Sequence, residues 1–245
     1  MTRAARRNDR FNLQPGQSFG GKYVVEAFLG GGVEGEVYKV RETRTKISRA
    51  AKLFYPRKNE RDRAARAYAR KLEHLRHCPL VIQYHNAETL ILRDARITCL
   101  LSDYVDGMLL SDYVGTRHGK RLPPFEALHI FHTIICGLEQ IHAAGEYHGD
   151  LHDENVLIKP SGIFFDIKIL DFFHWGRPVR THQKHDIVDA VRILYYMVGG
   201  PGAYAKQPPG IKSICLGMRR DLIVKRFPTA TRLRQYLERT ADLLP

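Results

Sequence analysis

The hydrophobic pattern of this chain changes period at Asp106-Gly107, and that change narrows the folds open to it. Before it, the runs KYVVEAFLG, EVYKV, RAAKLFY, LVIQYH, TLILRD and ITCLLSDYV are short, β-branched or aromatic, and broken by glycine and charge. Strands of an antiparallel sheet read this way. One predicted helix interrupts them, the Ala- and Arg-rich stretch PRKNERDRAARAYARK from Pro56 to Lys71. After the change, PFEALHIFHTIICGLEQIHAAG sets Leu128, Phe131, Ile135, Leu138 and Ile141 three or four apart. That spacing predicts a buried amphipathic helix, opened by Pro123-Pro124 and stopped at Gly145. DIVDAVRILYYMVGG and PTATRLRQYLERTADLL predict two more helices, and VLI and IKIL two short strands. The expectation is an α+β chain, with a small β-rich half before a larger helical half and no internal repeat.

Composition sets outer limits. The 245 residues suffice for one large domain or two coupled lobes. Cys78, Cys99, Cys136 and Cys215 are widely separated and form no C-x-x-C pair, which argues against a zinc ribbon or a disulfide framework. A reducing, cytoplasmic location is expected. No run of eighteen apolar residues predicts a membrane span. MTRAARRNDRF is basic with no apolar stretch behind it, so it is not read as a secretory signal, and residues 1–21 are read as a basic arm. The net charge of +13 attracts polyanions, whether an acidic protein, nucleic acid, anionic lipid or phosphates. The densest basic cluster is the helix over residues 57–71, which is either a solvated face or a docking face for an acidic partner.

Two stretches carry chemistry. In LGGGVEGEVYKV, Gly30, Gly32 and Gly35 form G-x-G-x-x-G. A dinucleotide fold would follow this turn with a helix. Here an alternating strand follows, so the loop reads as a hairpin flap whose backbone N–H groups lie over phosphates. Glycine lets that backbone approach closely. In RAAK, Lys52 sits on the next strand among core residues. The second stretch, HGDLHDENVLI from His148 to Ile158, packs two histidines and three carboxylates into seven positions before an asparagine. A zinc nest, a capping turn and a catalytic loop all compete for it. The order of its histidines and aspartates differs from metallo-hydrolase patterns, and a cap needs no Asp and Asn five apart. A catalytic loop does: Asp150 can accept a hydroxyl proton, and Asn155 offers an amide oxygen to Mg²⁺, a hard cation. A following strand then delivers Asp171 in ILDFF.

In this order and spacing the motifs resemble the protein kinase superfamily over about residues 22–240. The resemblance implies a bilobal fold, with residues 22–104 as a β-rich N-lobe bearing one helix and residues 105–245 as a helical C-lobe. It implies transfer of the γ-phosphoryl of ATP, with Mg²⁺, to a hydroxyl, and the leading reading is a divergent protein serine/threonine kinase. By this likeness Leu29, Gly30, Gly31, Gly32, Gly35, Val37, Ala50 and Lys52 would hold ATP, with Asp103 and Val105 of SDYVDG meeting the adenine. Asp150 would be the catalytic base, helped by Lys52 and Asn155, and Asn155 and Asp171 would be the metal ligands. Asp186 would anchor the catalytic-loop backbone, and His148 would be a core histidine near Phe172.

The chain departs from the family pattern in several places. Tyr68 stands where the family keeps the helix glutamate that pairs with the strand lysine, and Glu73 is five residues on, about 140° around a helix. Gly149 replaces the arginine before the catalytic aspartate, which implies activity without loop phosphorylation. Phe173 replaces the glycine of D-F-G. Asp171 and Asp186 are only fifteen residues apart, and no A-P-E is present. His152 replaces lysine, as in aminoglycoside and choline kinase relatives. These departures keep two alternatives open: a small-molecule phosphotransferase, and a nucleotide-binding pseudokinase acting as an interaction module.

Overall fold

The computed structural model describes residues 10–174 and 176–239. They form two compact units, one of residues up to Arg76 together with Ile82–Val105, the other of His77–Val81 and the chain from Asp106 onward. The boundaries expected from sequence, at 22 and at 104/105, differ in three places, one being Val105, which ends the first unit. Residues 10–21 pack into the first unit, and 77–81 belong to the second. Residues 1–9 of the expected basic arm lie outside the described residues.

The first unit is a six-stranded antiparallel sheet of β1 (Ser18–Phe19), β2 (Tyr23–Gly31), β3 (Gly35–Glu42), β4 (Ser48–Phe54), β5 (Tyr84–Leu92) and β6 (Ala95–Asp103), in the order β1-β2-β3-β4-β6-β5. Period-two alternation decides its faces. Tyr38, Val40, Ala51 and Leu53 are fully buried on one side, packed with Phe11, Tyr23, Val25, Ile97 and Leu101. The N-terminal segment is held there by Glu36. This buried carboxylate accepts the backbone N–H groups of Phe11 and Asn12 (3.2 and 3.3 Å) and the hydroxyls of Tyr38 and Tyr55. Leu13, which also packs on this core, directs its N–H to the Tyr38 hydroxyl.

The helix of this unit, α1 (Arg63–His74), begins seven residues later than the sequence suggests. Pro56–Lys58 and Glu60–Asp62 are separate single 3-10 turns, and Arg61 and Asp62 have left-handed backbones. The Asn59 side chain accepts the N–H of Ala65 and donates to Asp62, whose carboxylate also takes the Thr98 hydroxyl. These bonds to the chain before and beside the helix outweigh the local helix propensity. Ala65, Tyr68, Lys71 and Leu72 form the buried face, while Arg63, Arg66 and Arg70 are exposed at helical spacing on the other.

The second unit holds β7 (Met108–Leu109), α2 (Leu110–Gly115), α3 (Pro124–Ala143), β8 (Val156–Ser161), β9 (Phe164–Ile169), α4 (Arg180–Met197), α5 (Gly200–Ala203), α6 (Pro209–Cys215), α7 (Arg220–Arg226) and α8 (Ala230–Arg239). Strands β7, β8 and β9 form a small antiparallel sheet. All five residues that set the α3 period are buried, as are Ile187, Val191 and Leu194 of α4, the helix that packs with α3. The run LVIQYH is divided rather than one strand. Val81 bridges Ile169 in parallel, the Ile169 N–H meets the Leu80 carbonyl at 2.7 Å, and regular pairing with β6 starts at Tyr84. Gly137 makes room for this segment: a Cβ there would stand 2.6 Å from the Leu80 side chain. All four cysteines are free. No helix among the described residues is long and apolar enough to cross a membrane.

Candidate active site

In the first unit the glycine stretch is the β2–β3 hairpin, closed by the Gly32 N–H on the Gly35 carbonyl at 2.9 Å. Its three motif glycines are not equivalent. A Cβ on Gly35 would lie 2.0 Å from the Leu53 carbonyl oxygen, so glycine is required there by β4 alone. Gly30 and Gly32 meet nothing within 4 Å, and Gly31 meets only the Glu36 and Phe28 side chains and the Gly35 backbone at 3.3–3.6 Å. No atom of the protein itself therefore excludes a side chain at 30 or 32. Gly35→Ala is expected to lose about 3 kcal/mol or more in a denaturant melt. Gly32→Ala should change stability by less than about 0.5 kcal/mol while weakening nucleotide binding, read by titration of the same two variants.

Val37 pairs across from Lys52, and Ala50 lies two residues from Lys52, so all three share the sheet face opposite the buried core. Leu29 is exposed beside the hairpin. Asp103 gives its backbone N–H to the Gln83 carbonyl and its carboxylate to Arg49 and His85, and half-buried Val105 ends the unit.

Lys52 has an unusual set of neighbours. Its Nζ is 3.5 Å from Glu34 Oε2 and sits over two rings, 4.4 Å from the Tyr68 centroid and 5.4 Å from that of Phe54. Tyr68 thus occupies the spot beside the lysine that the motif alignment assigned to it. A cation over an aromatic face gains about 0.5–2 kcal/mol. Glu73 is exposed and pairs with Arg76 at 2.7 Å, and Glu60 is exposed as well. The sequence reading missed Glu34. Its only signal is an acid inside the hairpin that also carries the glycines, where the Tyr55 N–H holds its carbonyl at 2.8 Å.

In the second unit the catalytic-loop stretch is organised by Asp186 of α4. This fully buried carboxylate accepts the backbone N–H groups of His148 (2.7 Å) and Gly149 (2.8 Å) and the Nε2–H of His142 (3.0 Å). Burial pushes its pKa up, yet the His142 hydrogen bond, the electrostatics of the neighbouring His148 and His142 imidazoles and the Gly149 N–H outweigh this and hold it below the ordinary value near 3.8. Gly149 has φ +88°, a conformation most side chains resist.

His148 is fully buried, 4.6 Å from the Phe172 ring. Its Nε2–H donates to the Leu170 carbonyl at 2.7 Å, and its Nδ1 accepts the Asp150 N–H at 3.2 Å, which selects one neutral tautomer. Two further bonds join the same segments: the Leu170 N–H to the Asn155 carbonyl at 2.8 Å, and the Phe173 N–H to the His148 carbonyl at 2.9 Å. The 148–155 loop and the 170–173 segment are therefore fastened side by side. Asp150 is exposed, whereas Asn155 is buried. Asn155 directs Nδ2 to the Asp150 carbonyl at 2.8 Å and to His152 Nε2 at 2.9 Å. Because that carbonyl only accepts, the amide orientation is settled and Oδ1 takes no part in these two bonds. Asp171 has φ +51°, and the half-buried turn it makes sends Phe172 into the core.

A buried anchoring aspartate, a loop with an aspartate and an asparagine five residues apart, and a second aspartate fastened beside it define a kinase-type site. The family model for the protein kinase domain matches residues 23–197. That is more than half of the chain, which belongs to the protein kinase family. Its relatives include a putative cyclin-dependent kinase F-2 of Oryza sativa subsp. japonica, 31% identical over 62% of this chain and 46% of that protein. A probable serine/threonine-protein kinase of Streptomyces coelicolor is 28% identical over 65% of this chain and 23% of that protein. The matched stretches thus span about half or less of those two relatives. Among solved structures, the PknI kinase domain of Mycobacterium tuberculosis aligns with a TM-score of 0.67 at 21% identity, covering 92% of this chain and 98% of that one. That likeness establishes the kinase fold.

Proposed function

We propose that the chain is an ATP- and Mg²⁺-dependent protein kinase that transfers the γ-phosphoryl group to a serine or threonine hydroxyl. The observation that carries this is the fastening of the Asp150–Asn155 loop to the Asp171 segment by His148, Leu170 and Phe173. It supports a role for three oxygen-bearing side chains in one reaction. Asp150, exposed and fixed through its own N–H and carbonyl, orients the acceptor hydroxyl and takes its proton. Asn155 Oδ1 and the Asp171 carboxylate are hard oxygen donors of the kind Mg²⁺ prefers, and they would hold it. The ion, when bound, neutralises charge on the phosphates. Lys52 would exchange Glu34 for a phosphate oxygen, and the open backbone at Gly30 and Gly32 would cover the triphosphate. Val37 and Ala50 would pack on the adenine, with backbone groups of Asp103 and Val105 meeting its edge. The names of the kinase relatives favour a protein hydroxyl over a small alcohol as acceptor.

The test is transfer of labelled γ-phosphate from Mg·ATP to the chain itself, to serine- and threonine-bearing peptides and to small alcohols. Phosphoserine or phosphothreonine would support the proposal, and label only on small alcohols would move the substrate class. The ring of Tyr68 beside Lys52 favours a second reading, a nucleotide-binding module without transfer. Nucleotide-dependent thermal stabilisation with no label on any acceptor would establish that instead.

The exposed Arg63, Arg66 and Arg70 of α1 would give an acidic partner a positive face. Reversing all three to glutamate should weaken binding of an acidic peptide in a salt-dependent way, measured by titration at two ionic strengths. Equal affinity in both proteins would reduce the face to solvation.

A further inference from the structure

A cluster that phosphoryl transfer does not use lies where α3 meets α8. His132 and Cys136 are four residues apart and so share one face of α3, and Glu238 reaches them from α8. Their ligand atoms all lie within 4.8 Å of one another. Cys136 Sγ is 3.7 Å from His132 Nε2, and Glu238 Oε1 is 3.0 Å from the same nitrogen. We propose that His132, Cys136 and Glu238 bind one zinc-class metal ion, with water completing the shell.

Geometry supports this. Zinc bonds of about 2.1 Å to nitrogen and 2.3 Å to sulfur, at a tetrahedral angle, separate those two atoms by about 3.6 Å. The observed 3.7 Å matches that spacing, and because Sγ also lies 3.8 Å from Nδ1 the imidazole has to turn to aim Nε2 at the ion. Nitrogen and carboxylate oxygen would stand about 3.4 Å apart in the same shell, so the 3.0 Å contact needs to open by only a few tenths of an ångström.

The donor set gives the chemical class. A thiolate, an imidazole and a carboxylate together suit zinc or cobalt(II), whereas magnesium and calcium take oxygen shells. The carboxylate is also oriented in advance. Arg234 holds Glu238 Oε2 at 2.6 Å and Glu139 Oε2 at 2.5 Å, which leaves Oε1 turned toward His132. Cys136 is the one thiol of the four that is not buried. Metal binding releases its proton to solvent, and the sulfur binds as thiolate. The ion would then tie α8 to α3, whose apolar residues are the centre of the second unit.

Cobalt(II) is the probe, added to the purified chain in reducing, chelator-free buffer. One equivalent should produce a thiolate-to-cobalt charge-transfer band, and zinc should displace it. Cys136→Ser should abolish the band, because Cys78, Cys99 and Cys215 are buried. His132→Gln and Glu238→Gln should each weaken binding at least about tenfold. Glu238→Gln keeps the side-chain shape at a half-exposed position, and circular dichroism checks that each variant is folded. Zinc should raise the melting temperature of the parent chain and not of Cys136→Ser. The absence of a band in the parent, a band that survives Cys136→Ser, or unchanged affinity in both His132→Gln and Glu238→Gln would overturn the site and leave a hydrogen-bonded cluster. Phosphate transfer is not the readout, so failure here is distinct from failure of the kinase reading.

Discussion

Asp171→Asn should lower phosphate transfer at least about a thousandfold while leaving the melting temperature nearly unchanged. The substitution keeps size and shape, and asparagine tolerates the left-handed backbone observed at φ +51° as well as aspartate does. Phe172 would stay buried beside His148, and the bonds from Leu170 and Phe173 are made by backbone atoms that the change does not touch. What disappears is the formal charge through which the segment would hold Mg²⁺. The comparison to make is single-turnover transfer by wild type and variant, alongside thermal melts of both. Equal transfer would end the assignment of Asp171, and with it the proposed mechanism. A collapsed melting temperature would instead show that Asp171 belongs to the fold.

The second large effect is on stability. Asp186→Ala should remove about 3–5 kcal/mol, because it leaves the His148 and Gly149 N–H groups and the His142 ring nitrogen without their buried acceptor. Asp186→Asn keeps one acceptor oxygen and should fall between wild type and alanine. Urea melts of the three proteins measure this directly. Transfer should fall as well, since both N–H groups belong to the loop that carries Asp150. Acid provides an independent check. The Asp186 pKa is depressed in the folded chain, so its contribution is complete above the unfolded value of about 3.9 and is lost as the pH falls through the folded value. Stability measured downward from pH 5 should therefore drop less steeply in Asp186→Ala than in wild type below about pH 4. Parallel acid limbs would mean that Asp186 carries no such charge.

Much of the site was legible in the sequence because its parts are local. The glycine hairpin, Lys52, the Asp150–Asn155 pair and Asp171 each lie within a short run whose residue types have few other uses together. The place of Tyr68, where the family keeps the helix glutamate, was legible too, and the structure sets its ring 4.4 Å from the lysine. The partner of that lysine was not legible. Glu34 and Lys52 are eighteen positions apart, and only the pairing of β3 with β4 brings them together. The start of α1 was also misread. Composition from Pro56 to Lys71 favours helix throughout, but the side chains of Asn59 and Asp62 and the strand residue Thr98 delay it to Arg63.

Sequence alone determined the order of the elements, the faces of the long helices and the run of motifs that mark a kinase, because period and local residue type act over a few neighbours. Tertiary structure decided what crosses long distances in the chain. It folded residues 10–13 onto Glu36, turned Glu34 to Lys52, and gathered His132, Cys136 and Glu238 between two helices a hundred residues apart. Hydrogen bonds, ion pairs and metal ligation depend on distances of a few ångströms between side chains, and only the packed chain sets those distances.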